Sequence, residues 1–201
     1  MLSKYRPVVS WKDQTAVVVG AGPSAARTPL ELARGKARVV AVNESWRLAP
    51  WADVLFAMDG IWWVDNCGLP QFAGRRVTSS PHATATFGLD CFICMGTTSG
   101  LRSIYLAEKL EANPILLVGF DMHDTNGAHW HPPHSTRVGL RNPGENEMKL
   151  WREDIEKVAD KFMARGTKII NCTPGSALTC FPYLPFERAL GGDDHPHSAV
   201  R

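Results

Sequence analysis

The sequence predicts an α/β fold, a mainly parallel sheet flanked by helices, and three observations carry that expectation. Short β-branched runs alternate with segments of helical apolar spacing. Glycine-rich turns fall where strands hand over to helices, and polar residues follow the apolar runs at the sheet edge those turns would form.

Taken in order, the first strand is expected at Thr15 to Gly20, built on Val17, Val18 and Val19. After the turn Ala21 to Ser24, the segment Ala25 to Arg34 reads as a helix and Arg38 to Val42 as a second strand, completing one βαβ unit. A short helix near Glu44 to Ala49 and a third strand at Val54 to Ala57 follow, and the stretch Gly60 to Cys91 has weak periodicity. Ser99 to Leu110 spaces Leu101, Ile104, Tyr105 and Leu110 as a helix does, ahead of the apolar strand Pro114 to Gly119. The interval Asp121 to Asn146, rich in His, Pro, Gly and Asn, reads as a long loop, and such loops often carry function. Glu147 to Arg165 is an amphipathic helix stopped by Gly166, and Thr167 to Asn171 is the last strand before a proline-rich end.

Composition bounds what this fold can be used for. A chain of 201 residues, 44% of them apolar, can bury a full core but is short for two domains, so residues 1–190 are expected to form one domain and residues 191–201 a disordered tail. The 22 basic and 20 acidic residues are spread along the chain, which announces no nucleic-acid groove. Five cysteines, an odd number in a chain large enough to fold without staples, fit reduced thiols and a cytoplasmic location. No apolar run reaches the roughly 18 residues that span a bilayer, and Met1 to Asp13 lacks the hydrophobic middle of a signal peptide.

Two motifs point to a nucleotide. Gly20-Ala21-Gly22-Pro23-Ser24 lies between a strand and a helix, where glycines permit a tight turn and close approach, and a helix start offers amides to a phosphate. It is shorter than the full dinucleotide fingerprint, with Ala25 at the third glycine position, and Pro23 separates it from the usual NAD version; neither NAD nor flavin is expected. Gly96-Thr97-Thr98-Ser99-Gly100 opens the helix near Leu101, where Thr98 and Ser99 hydroxyls can cap the helix and also meet a phosphate. Asn43 and Asp59 each follow an apolar strand, placed to meet a ribose or base, or else to serve as a helix cap and a turn residue. Gly119-Phe120-Asp121 brings a carboxylate to the same edge.

With Asn171-Cys172-Thr173-Pro174-Gly175-Ser176 added, these motifs occur in an order that resembles the bacterial lipooligosaccharide sialyltransferases. The chain is also similar to flagellin-modifying glycosyltransferases, to archaeal hydroxymethylpterin pyrophosphokinases, and most of all to small phage proteins labelled norphogenetic. The similarity covers most of Thr15 to Leu190 and implies a Rossmann-like domain. In the sialyltransferases the matching turns hold the cytidine monophosphate of the donor. The resemblance therefore implies nucleotide binding by Gly20, Gly22, Pro23, Ser24, Asn43, Thr98, Ser99 and Gly100, to which Asp59, Thr173 and Ser176 are added as candidates. Asp59 stands where that family carries an asparagine. The implied activity is sugar transfer from a nucleotide-sugar; pyrophosphoryl or nucleotidyl transfer on ATP and nucleotide binding without turnover are the alternatives. The acceptor would be a glycan or modified DNA, and homo-oligomers are common in the group.

The family's catalytic histidine, just before the penultimate helix, is matched here near Lys149. His129, His131 and His134 in the preceding loop are the replacement candidates, since a neutral imidazole can accept a hydroxyl proton near neutral pH, with Asp121 beside the acceptor. The same stretch admits a metal reading, with Asp121 and Asp124 as magnesium ligands next to a phosphate chain or the histidines as zinc ligands, although the spacing matches no standard zinc signature. Cys91-Phe92-Ile93-Cys94 has no second cysteine pair and reads as buried thiols, and Trp46, Trp51, Trp62 and Trp63 read as packing.

Overall fold

A computed structural model describes residues 9–125, 127–133, 140 and 142–192. Seven strands form one parallel sheet in the order β5-β4-β3-β2-β1-β6-β7. They are β1 (Ala16–Val19), β2 (Arg38–Val42), β3 (Val54–Ala57), β4 (Arg75–Thr78), β5 (Asp90–Cys91), β6 (Ile115–Val118) and β7 (Ile169–Asn171). The α-helices are α1 (Gly60–Asp65), α2 (Pro81–Phe87), α3 (Ser99–Lys109), α4 (Glu145–Ala164) and α5 (Phe186–Leu190).

The pleat sorts each strand onto two cores. Val18, Val40, Val42, Phe56 and Leu117 face one layer with Leu101 and Ile104 of α3 and Ile155 and Phe162 of α4. Val17, Val19, Val39, Leu55 and Leu116 face the other, with Trp62 and Trp63 of α1 and Phe186 of α5. The central strands are covered on both faces, which is why they read as continuous apolar runs rather than alternating ones.

Two differences from the expected elements have local causes. The helix expected over Ala25 to Arg34 is instead a pair of 3₁₀ turns, Pro23–Arg27 and Leu30–Ala33. Pro29 lacks an amide to donate and holds Thr28 extended at ψ 134°, so no α-helix can run through. The weakly periodic stretch from Gly60 to Cys91 holds α1, β4, α2 and β5, of six, four, seven and two residues, each too short to show a period in sequence.

The carboxyl ends of β1 and β6 are joined by a backbone clasp. The Gly20 amide donates to the Val118 carbonyl at 2.7 Å and the Gly22 amide to the Gly119 carbonyl at 2.9 Å. A Cβ on Gly20 would lie 2.7 Å from the Gly119 carbonyl oxygen, and one on Gly22 would lie 2.0 Å from Asp121 Oδ2. Gly119 itself has φ +73°, and a Cβ there would come within 2.7 Å of the Gly20 oxygen. Asp121, 4% exposed, completes the clasp by accepting from the Ser24 amide at 3.2 Å and the Ser24 hydroxyl at 2.8 Å.

Gly119→Ala should therefore lower stability by at least about 2 kcal/mol, from strain at positive φ plus a backbone clash, read as a lower urea midpoint. Ser24→Ala leaves a buried carboxylate short of a donor and should cost about 1–3 kcal/mol. Adding Asp121→Ala to it should cost less than the two single changes summed, measured in the same unfolding experiment.

Candidate functional site

The clasp lies at the switch point of the sheet, where chain order runs outward through β2 on one side and through β6 on the other. Over the carboxyl ends of these strands opens a cleft of about 380 Å³. Its walls come from the β1 turn (Gly20, Ala21, Gly22), the ends of β2 and β3 (Asn43, Met58, Asp59), the start of α3 (Thr97 to Gly100), the end of β6 (Gly119 to Met122) and the first turns of α4 (Met148, Trp151). Ile61, Trp62, Ala128, His129 and Leu140 complete it.

The two glycine-bearing turns behave differently toward an anion. At the first, Pro23 has no amide, the Ser24 amide is bound by Asp121, and the Ala25 amide donates to Gly22 O. Asp121 also holds its carboxylate against Gly22, so this turn sets a Ser24-bound carboxylate beside its glycines. The glycines serve the close approach of two backbone segments. The second turn opens α3, an eleven-residue helix, and the Thr98 hydroxyl caps it by accepting from the Leu101 amide at 3.1 Å. The Ser99 and Gly100 amides have no acceptor within the helix and no partner among the described residues, leaving two donors and the positive end of the helix at the cleft. This is the anion-ready part of the site.

Ser99 also links walls, its hydroxyl accepting from the Met58 amide at 3.1 Å. Asn43 sits at φ 49°, in the left-handed region that a non-glycine residue occupies at a cost, and its side chain has no hydrogen bond among the described residues. Asp59 borders the cleft at the N-cap position of α1 without making a side-chain cap. Its carboxyl is held above the usual carboxylate value, chiefly by desolvation against the cleft walls and in spite of the Arg102 cation.

The long loop returns across the first turn. The Trp130 amide donates to Ala21 O at 3.0 Å, and its indole N–H reaches Ser45 Oγ at 3.4 Å, while the Ser45 hydroxyl donates to Gly20 O at 2.7 Å. This anchor brings His129 into the cleft wall with the His131 ring stacked on it, centroids 4.8 Å apart. Lys149 is exposed on α4 and is not part of the wall. His134 lies outside the described residues.

Of the remaining candidates, Pro23 and Ser24 are buried behind the cleft, and Asp121 reaches its wall with both carboxylate oxygens engaged by Ser24. Thr173 and Ser176 brace the β6 turn from the far side: the Thr173 hydroxyl accepts from the Phe120 amide at 3.0 Å and the Ser176 hydroxyl donates to Phe120 O at 2.5 Å. Asp124 is exposed on the loop, away from the cleft. Among the described residues no three His, Cys, Asp or Glu side chains come together as a metal-binding group. Cys172 is buried and Cys94 and Cys180 half-buried, their thiols raised by burial to about 12, 11 and 11. Met58, Ile61, Trp62, Phe120, Met122, Leu140, Met148 and Trp151 supply apolar wall that the motifs had not announced. Only apolar residues just beyond strand ends, such as Met58 and Phe120, could have signalled it.

No protein-family model matches the sequence, and no curated protein matches it either. Solved structures do. The sialyltransferase CstII from Campylobacter jejuni, in complex with the substrate analogue cytidine-5'-monophosphate, superposes with a TM-score of 0.60 at 14% identity, covering 87% of this chain and 86% of that one. A structure of the sialyltransferase CST-II with a trisaccharide acceptor and CMP gives 0.54 at 14% identity, with 84% of each chain covered. The chain is thus a seven-stranded parallel α/β protein with the fold of these glycosyltransferases.

Proposed function

We propose that the cleft binds a nucleotide-sugar and that the protein transfers its sugar to a hydroxyl acceptor. The observation that carries this reading is the pairing, across one cleft at the sheet's switch point, of the Ser99 and Gly100 amides with Asn43, whose backbone is strained; neither those amides nor the Asn43 side chain has a partner among the described residues. The amides suit the phosphate, Asn43 suits the nucleoside, and the apolar walls of Met58, Trp62 and Phe120 suit a flat base or sugar face. Support also comes from the fold neighbours, whose structures contain CMP.

Charge favours a donor with one phosphate. Among the described wall residues there is no lysine or arginine, and Asp59 and Asp121 add negative charge, so a diphosphate would be compensated only by helix amides. The same deficit disfavours the ATP reading, whose triphosphate carries more negative charge still. In the transfer, the bond between the anomeric carbon and the phosphate oxygen breaks as the acceptor oxygen bonds to that carbon. The electron pair leaves with the phosphate, stabilised by the Ser99 and Gly100 amides, and His129 accepts the acceptor's proton. The Asp121 carboxylate, bound to Ser24, keeps the turn in shape rather than taking the proton.

Titration with CMP, UDP, GDP and ATP, each with and without magnesium, should raise the melting temperature with CMP most and without need of metal. Asn43→Ala should weaken CMP binding at least about tenfold. Absence of any shift from a folded sample would overturn the nucleotide reading. His129→Ala should leave CMP affinity within about twofold while lowering sugar transfer from a CMP-linked donor by about 10²–10⁴. CMP binding without any turnover in the unaltered protein would leave a nucleotide-binding module in place of an enzyme.

A further inference from the structure

Among the described residues the Asp59 carboxylate has no hydrogen-bond partner. An aspartate at a helix N-cap ordinarily accepts from amides of the first turn, yet at α1 that cap is not made, and the Trp62 amide goes to the Asp59 carbonyl instead. Asp59 forms no salt bridge and no side-chain hydrogen bond among the described residues, and the nearest cation that acts on it, Arg102, directs its guanidinium to the Gly96 carbonyl. The carboxylate therefore faces the cleft as a pure acceptor.

Its position is fixed relative to the anion-ready amides. Met58, the preceding residue, donates its amide to Ser99 Oγ at 3.1 Å, which pins the end of β3 to the first turn of α3. Asn43 lines the same wall from β2, the strand paired with β3. In a nucleotide the group bonded directly to the phosphate is the ribose, in a nucleotide-sugar the donor sugar as well, and the base lies one unit farther away. A side chain tied next to the phosphate-binding turn thus meets sugar first. Exposure agrees: Asp59 stands exposed at the mouth, where hydroxyls keep company with water, whereas Ile61, 44% exposed on the same wall, offers apolar surface to a base.

We propose that Asp59 recognises the ribose of the nucleotide, its two carboxylate oxygens accepting hydrogen bonds from the vicinal 2'- and 3'-hydroxyls. The inference rests on the nucleotide reading of the cleft and adds a specificity to it. A carboxylate demands donors, so ribonucleotides bind, 2'-deoxynucleotides lose one of two bonds, and a phosphate on either hydroxyl is repelled. An amide at this position, being donor and acceptor together, would enforce none of this as strictly.

The test is a two-by-two comparison of dissociation constants by calorimetry: CMP and 2'-deoxy-CMP against the unaltered protein and Asp59→Ala, with GMP as a further arm. The unaltered protein should prefer CMP over 2'-deoxy-CMP by about tenfold or more. Asp59→Ala should bring that ratio near one, with 2'-deoxy-CMP affinity changed much less than CMP affinity and the urea midpoint little altered. Asp59→Asn should fall between. Equal ratios in the two proteins would overturn the inference while leaving the nucleotide reading standing. So would an Asp59→Ala effect that appears between CMP and GMP and not between ribo and deoxy forms, since that assigns the carboxylate to the base. Failure of CMP and GMP alike to bind the unaltered protein would overturn both.

Discussion

The constraint on which the rest of the structure depends is the close passage of the β1 and β6 carboxyl ends. Two strands that pair in parallel must leave the sheet side by side, and here their exits bond to each other through Gly20, Gly22, Val118 and Gly119. Side chains cannot occupy that space, as the contacts a Cβ would make at Gly20, Gly22 and Gly119 demonstrate. The Ser24 and Asp121 hydrogen bonds lock the arrangement, and the Trp130 loop is laid upon it through Ala21 and Ser45. The floor of the cleft is thereby rigid before any ligand arrives.

That rigidity sets the electrostatics. The described wall of the cleft presents dipoles and neutral or negative side chains and no formal cation. Helix amides at α3 are fixed in direction by the Thr98 cap and by the Ser99 link to β3, so they need no reordering to meet a negative group. Asp121 is costly to bury, and its two bonds to one serine compensate that cost only while the clasp is closed.

Much of this was legible in the sequence, for physical reasons that differ from element to element. The strands β2 and β3 were read with their observed bounds because buried parallel strands are compact apolar runs bounded by polar residues. The α3 start was legible because hydroxyl caps are local. The first turn was misjudged at its helix, where Pro29 weighs against a continuous α-helix and the spacing of Ala25, Leu30 and Ala33 does not reveal it. Thr173 and Ser176 match a nucleotide motif by sequence yet spend their hydroxyls on the β6 turn, because a hydroxyl's partner is a tertiary fact. Trp151 and Met148 entered the wall from α4, more than a hundred residues from the first turn in sequence, and helical amphipathicity cannot say what a face will cover.

The outer strands have a consequence for how the molecule meets its copies. At the end of β7 the edge is taken: Asn171 donates its amide to Pro182 O at 2.9 Å and accepts from the Leu184 amide at 3.2 Å, so the returning segment bridges the strand there. At the opposite margin β5 is two residues long, too brief to template another chain. Among the described residues, growth of the sheet from molecule to molecule is hindered at the end of β7 and has only two residues to build on at β5. Contact between copies through helix and loop surfaces would bury side chains and leave the ladder of backbone bonds complete within each copy.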